Sequence, residues 1–141
     1  IRGYNQDRPQ EGVVIIRGTS STANLVKLLP RLNEGGPNVK VVSAGSWLLF
    51  QRQSEDYRGK TLSTEEMNDA MIITNGSLLQ MHSWTASKVV ADYSLSSDWD
   101  NRWRTGGSLE EVVEEAPLSE EWIWKGIKRF ADERSDRLAH L

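Results

Sequence analysis

Apolar positions fall into short unbroken runs alternating with stretches where they recur every three or four residues. Gly12-Val13-Val14-Ile15-Ile16-Arg17 is a β-branched run bounded by glycines, the pattern of a strand buried on both faces. From Ser21 the period changes. Leu25, Val26, Leu28, Leu29 and Leu32 keep helical spacing, Ser20 or Ser21 can cap the first turn, and Pro30 with Asn33-Glu34-Gly35-Gly36-Pro37 closes the helix. Val39-Lys40-Val41-Val42 reads as a second strand followed by a short helix opening at Ser46-Trp47-Leu48-Leu49-Phe50. Ser63-Thr64-Glu65-Glu66 has capping-box spacing ahead of a third strand, Asp69 to Thr74. Val89 to Leu95, interrupted by Asp92, is read as the fourth strand. A second capping box, Ser108-Leu109-Glu110-Glu111, opens a helix stopped by Pro117. Ser119 then caps a terminal helix with an apolar stripe of Ile123, Ile127, Phe130, Ala131 and Leu138.

Strands alternating with helices call for a mostly parallel sheet covered on both faces, because parallel strands need long crossovers. The expected class is three-layer α/β. A chain of 141 residues accommodates one core, so residues 11–141 are read as one domain. The polar residues 1–10, with Pro9 ahead of the first apolar run, are read as a linker from an upstream domain.

Charge and composition narrow the chemistry. Seventeen basic and twenty acidic residues are scattered along the chain for a net charge of -3, leaving no basic tract for nucleic acid. No apolar run approaches the ~20 residues that span a bilayer, so a soluble protein with no membrane partner is expected. The absence of cysteine excludes disulfides and thiolate metal sites and suits a cytoplasmic location. The two histidines, His82 and His140, lack metal-ligand spacing. No nucleophile elbow or histidine-paired serine is present, and the acidic pairs Glu65-Glu66, Glu110-Glu111 and Glu114-Glu115 lie in expected helices. No catalytic residue, cofactor-binding residue or metal ligand is therefore assigned.

Two segments can carry binding. Gly18, Thr19, Ser20 and Ser21 stand where the first strand enters the first helix, and free amides with nearby hydroxyls make such a turn an anion candidate. The turn lacks both dinucleotide and P-loop spacing, and plain capping explains it equally. Gly45-Ser46 and Gly76-Ser77 occupy the equivalent turns, at the edge where open α/β sheets place ligands. Asp98-Trp99-Asp100-Asn101-Arg102-Trp103-Arg104 interleaves tryptophan with charge, which suits either sugar or phosphate recognition or a protein contact. An exposed interface containing Trp84, Trp99, Arg102 and Trp103 is expected.

The stretch from Val41-Val42-Ser43 through Ser46-Trp47-Leu48-Leu49-Phe50-Gln51 to Tyr57-Arg58 resembles the carboxy-terminal domain of transketolases. The order of elements is similar from about Glu11 onward, and residue identity is concentrated in the second strand and the helix after it. The resemblance implies a five-stranded mixed sheet with one antiparallel strand. It also implies a non-catalytic domain that supports a homodimer while thiamine diphosphate and Mg²⁺ sit between two preceding domains, the parent enzyme transferring two-carbon ketol units between sugar phosphates in the pentose phosphate pathway. The chain accordingly has no Gly-Asp-Gly followed by Asn at diphosphate-motif spacing. Related domains close the 2-oxoacid dehydrogenase and deoxyxylulose-phosphate synthase chains. A small-ligand regulatory module for anions or nucleotides is the alternative from a different class.

Overall fold

The computed structural model describes residues 1–84, 87–102 and 106–139. The β-branched runs form the strands expected of them: β1 (Val13–Arg17), β2 (Lys40–Ser43) and β3 (Ala70–Thr74), with the two-residue β4 (Leu95–Ser96). The sheet order is β2-β1-β3-β4 and every pair of strands is parallel. The fold is therefore α/β. Among the described residues the sheet has four strands, where the resemblance implied five with one antiparallel. Among the described residues antiparallel pairing occurs once, as a bridge between Arg2 and Val41 on the outer edge of β2.

Alternation along the strands divides the core in two. Val14, Ile16, Val41, Met71 and Ile73 point to one face and meet Leu25, Leu28 and Leu32 of helix α1 (Thr19–Asn33). The apolar stripe foreseen near the carboxyl end joins them as far as Phe130, whereas Leu138, expected on the same helix, falls on a separate short helix and is half-buried. Later in the chain than the other face's helices, the stripe supplies Ile123, Ile127 and Phe130 to this face. Val13, Ile15, Val42, Ala70 and Ile72 point the other way. They pack against short helices between the strands: α2 (Trp47–Gln51), α3 (Glu55–Thr61), α4 (Thr64–Asn68), a 3-10 helix (Leu78–Trp84) and α5 (Lys88–Tyr93). The chain closes with α6 (Leu109–Glu115), α7 (Glu120–Asp132), which carries the stripe, and α8 (Arg134–Leu138).

Both capping boxes form, Ser63 with Glu66 and Ser108 with Glu111. Three local expectations are corrected. Helix α1 begins two residues before Ser21 with Gly18 as its cap, and the Ser21 hydroxyl instead donates backward to the Arg17 carbonyl at 2.7 Å. Ser119 stands at the α7 cap but its hydroxyl makes no capping bond. Val89 to Leu95 is mostly helix, with only Leu95 in a strand. Ser94 explains the change: its hydroxyl donates to Val90 O at 2.6 Å and accepts from Ile72 N at 3.0 Å, so α5 is stitched to β3 and Val90 is buried beneath it.

Residues 1–10, read as a linker, are docked on the body. Asn38 is fully buried, and its amide takes the Asn5 N–H at 2.8 Å while donating to the carbonyls of Asn5, Arg8 and Pro9 at 2.9–3.1 Å. At the opposite end of the chain Arg137 is 2% exposed. It pairs with Asp69 at the start of β3, donates to Phe130 O at 3.1 Å and stacks 3.7 Å over the Phe130 ring. Arg134 adds a second contact to Asp69 at 2.7 Å.

Removing one member of a buried ion pair strands the other without a partner. Arg137→Ala is therefore expected to cost about 3–5 kcal/mol of unfolding free energy in urea melts. A Asp69→Ala/Arg137→Ala double mutant should lose clearly less than the sum of the single losses; strict additivity would show that the pair is not coupled.

Candidate functional site at the carboxyl end of the sheet

Helix α1 leaves β1 on one face, whereas the connections after β2 and β3 run over the other. The strand order β2-β1-β3 therefore reverses direction between β1 and β3, which is where open parallel sheets place a crevice at their carboxyl ends. Four turns meet there: Gly18 to Ser21, Gly45-Ser46, Asn75 to Ser77, and Ser97-Asp98.

The turns are tied to one another. Asn75 Nδ2 donates to Ser20 Oγ at 3.2 Å, bridging the crevice between β1 and β3. The Asn75 amide lies so close over Gly18 that a Cβ built there would stand 1.9 Å from its Oδ1, and Gly18 has φ +102. Only glycine meets both demands. The space above the candidate anion turn is thus held by a neutral amide, and the Ser21 hydroxyl is committed to the Arg17 and Gly18 carbonyls. Thr19 is exposed and Ser20 holds Asn75. Ser46 accepts from Leu49 N at 3.4 Å as the cap of α2.

Asp98 fastens the other half of the edge. Its carboxylate accepts from Ser77 Oγ at 2.6 Å and from Leu78 N at 3.1 Å, capping the 3-10 helix from a residue distant in sequence. Ser97 Oγ donates to Gly76 O at 3.1 Å. Burial pushes the Asp98 carboxyl up, but hydrogen bonds from Ser77, Ser96 and Leu78 N together outweigh it and leave the group below its ordinary value.

The expected tryptophan interface divides. Trp84 is 4% exposed and belongs to the core, edge-on to Trp47 with centroids 5.0 Å apart and 5.5 Å from Phe50. Its assignment to an interface is corrected, because three rings in mutual contact bury far more apolar area than an exposed indole. Trp99 is 61% exposed. Arg102 is exposed and pairs with Asp100 at 2.9 Å. Trp103, Arg104, Thr105 and His140 lie outside the described residues, and His82 is exposed on the 3-10 helix.

What sequence reading missed is that Trp99 is one of several large apolar side chains exposed beyond the carboxyl ends of the strands. Leu48 and Leu49 on α2 are 61% and 59% exposed, and Leu79 on the 3-10 helix is 79% exposed. These residues follow the carboxyl ends of β2 and β3, as Trp99 follows β4, so this end of the sheet carries an apolar rim around polar fasteners. A signal for the leucines existed. Trp47-Leu48-Leu49-Phe50 puts four apolar residues in one turn, more than a single helical face can bury.

No protein-family model and no curated protein matches the chain. Among the described residues no group of three or more histidine or acidic side chains is placed to hold a metal, and no helix is long and apolar enough to cross a membrane.

Asp98→Asn is expected to lower stability at neutral pH by about 1 kcal/mol through its weakened hydrogen bonds. Because the folded-state pKa is depressed, the Asp98 contribution is present above the ordinary value of 3.8 and is lost as pH falls through the folded value. Stability measured between neutral pH and pH 3 should therefore fall more steeply in the parent chain than in Asp98→Asn. Parallel curves would remove Asp98 from this role.

Proposed function

We propose that this chain is the carboxy-terminal domain of a transketolase-type enzyme, a non-catalytic module that docks against the preceding domains and supports a homodimer. The observation that carries the reading is the exposure of Leu48, Leu49 and Tyr57 within the very segment, Val41 to Arg58, that resembles the family. Apolar side chains gathered at one end of a sheet suit a surface covered by protein. The reading includes the finer architecture as well, a three-layer domain with a mixed five-stranded sheet. It is supported by the cores on both faces and by the antiparallel contact of Arg2, whose amide and carbonyl bond Val41 at 3.2 and 2.8 Å on the open side of β2.

On this reading the parent holds thiamine diphosphate and Mg²⁺ elsewhere and transfers two-carbon ketol units between sugar phosphates. This chain binds neither and supplies packing surface to the domains that do. Parents of the 2-oxoacid dehydrogenase or deoxyxylulose-phosphate synthase kind would use the same surface. The regulatory alternative at Gly18 to Ser21 draws no support from a turn covered by Asn75.

The isolated chain, given thiamine diphosphate, Mg²⁺ and pentose phosphates, is expected to show no ketol transfer. Turnover would end the proposal. The uncovered rim is expected to cause weak self-association in sedimentation velocity at high concentration. The double substitution Leu48→Ser/Leu49→Ser should abolish it with little change in melting temperature, since neither side chain is buried. A chain that stays monomeric at every concentration, or a double variant that unfolds, would show that this face is not a docking surface.

A further inference from the structure

A second concavity, apart from the strand turns, opens between α2, α3 and α4 with a volume of about 380 Å³. That is within the range of small-molecule pockets. Trp47, Phe50, Leu62 and Met67 form its apolar wall, and these side chains rest on the core that Val13, Ile15 and Ile72 face. Arg58 also lines it. Among the described residues the guanidinium makes one hydrogen bond, from Nη1 to Gln51 Oε1 at 3.0 Å, while its Nε–H is sealed from water without an acceptor. A larger cleft of about 570 Å³ lies between α1 and α6–α7; there Lys27 already pairs with Glu120 at 2.7 Å and the Trp122 indole donates to Glu114 at 2.9 Å, and among the described residues the one buried polar group left over is the uncharged Ser119 hydroxyl. Arg58 differs from these in being a cation with no carboxylate partner among the described residues.

We propose that the α2–α4 pocket binds a free α-amino acid with an apolar side chain. Five fixed N–H donors on a planar fork match a carboxylate, and a buried Nε–H without an acceptor favours turning that fork toward one. Glu55 and Glu65 line the same pocket, and among the described residues no basic side chain pairs with either, although Glu65 also accepts from the Ser63 hydroxyl. One guanidinium against two carboxylates gives a net negative lining, which opposes a purely anionic ligand such as inorganic phosphate. A zwitterion satisfies both signs, its carboxylate on Arg58 and its ammonium toward Glu55 or Glu65. The aromatic and aliphatic wall then takes the side chain, at the usual gain for apolar area removed from water. This site does not depend on the transketolase-type reading, and its test uses neither thiamine diphosphate nor sugar phosphates.

The test is an NMR titration of the ¹⁵N-labelled 141-residue chain with L-leucine and L-phenylalanine, alongside 4-methylpentanoate and isoamylamine, which each retain one of the two charges. Saturable shifts are expected at the Trp47 indole N–H, the Arg58 Nε–H and the Gly59 amide, with both single-charge compounds binding more weakly. Arg58→Gln should weaken amino-acid binding about tenfold or more while leaving the melting temperature unchanged, and Arg58→Lys, which keeps the charge but not the fork, should also weaken it. The absence of saturation with both amino acids overturns the proposal. So does equal binding of 4-methylpentanoate, or undiminished binding by the Arg58 variants.

Discussion

The ion pair between Asp69 and Arg137 is the constraint on which the architecture converges. Asp69 stands at the entry to β3, and its backbone carbonyl accepts from Val13 N at 2.8 Å, so the same residue sets the start of β1. Arg137 comes from the last helix, passes over Phe130 and reaches both. Gly12 is the third member of this corner: a Cβ there would stand 2.7 Å from the Phe130 ring and 2.9 Å from Asp69 Oδ1, and its φ is +106. A charge drawn this far from water is tolerable only because a carboxylate, a carbonyl and an aromatic face surround it. Tyr93 closes the arrangement from α5, its hydroxyl donating to Glu133 at 2.7 Å and its ring edge-on to Phe130. The two central strands, the last two helices and α5 are thereby referenced to a single point at the amino end of the sheet.

The two ends of the sheet differ in how they are held. The amino end is locked by charge and ring stacking around the buried Arg137, whose contacts are expensive to break. The carboxyl end is held by neutral amides, hydroxyls and one aspartate, many of them in contact with water, and such bonds are individually worth little net stability. The contrast gives the molecule a rigid base and a face made of short turns and one-turn helices. Helices of five residues cannot persist on their own. The α2 helix exists because Trp47 and Phe50 are anchored on Trp84, and its outward leucines are carried along by that anchorage.

Much of this was legible in the sequence, and the failures have physical causes. Strands β1, β2 and β3 are runs of β-branched residues buried on both faces, so composition alone marks them. The capping boxes and the α7 stripe from Ile123 to Ala131 are local patterns that survive into the structure because tertiary packing agrees with them, while Leu138 is cut off from the stripe by the break after Asp132. Val89 to Leu95 misleads because Val89 and Val90 favour strands by propensity, yet a hydroxyl two turns of sequence away from any visible motif, Ser94, fixes a helix under β3. Trp84 and Arg137 could not be placed from sequence at all. A tryptophan near charges looks the same whether it packs or faces solvent, and an arginine in a polar tail gives no sign that its partner lies 68 residues earlier. The cover over the candidate anion turn was hidden for the same reason: the side chain that lies over Gly18, Asn75, follows a different strand.

The docked first residues have a further consequence for how copies of this molecule treat one another. A sheet ending in a parallel strand presents a row of unused amides and carbonyls to any extended chain that drifts past, the usual route by which sheets fuse into fibrils. At one margin β4 is only two residues long and offers little template. At the other, β2 would be open, and there Arg2 occupies the groups of Val41 while Asn38 clamps the segment that carries it. The start of the chain thus acts as a guard rail, and a proteolytic nick within the first ten residues would expose a sticky margin on an otherwise intact fold.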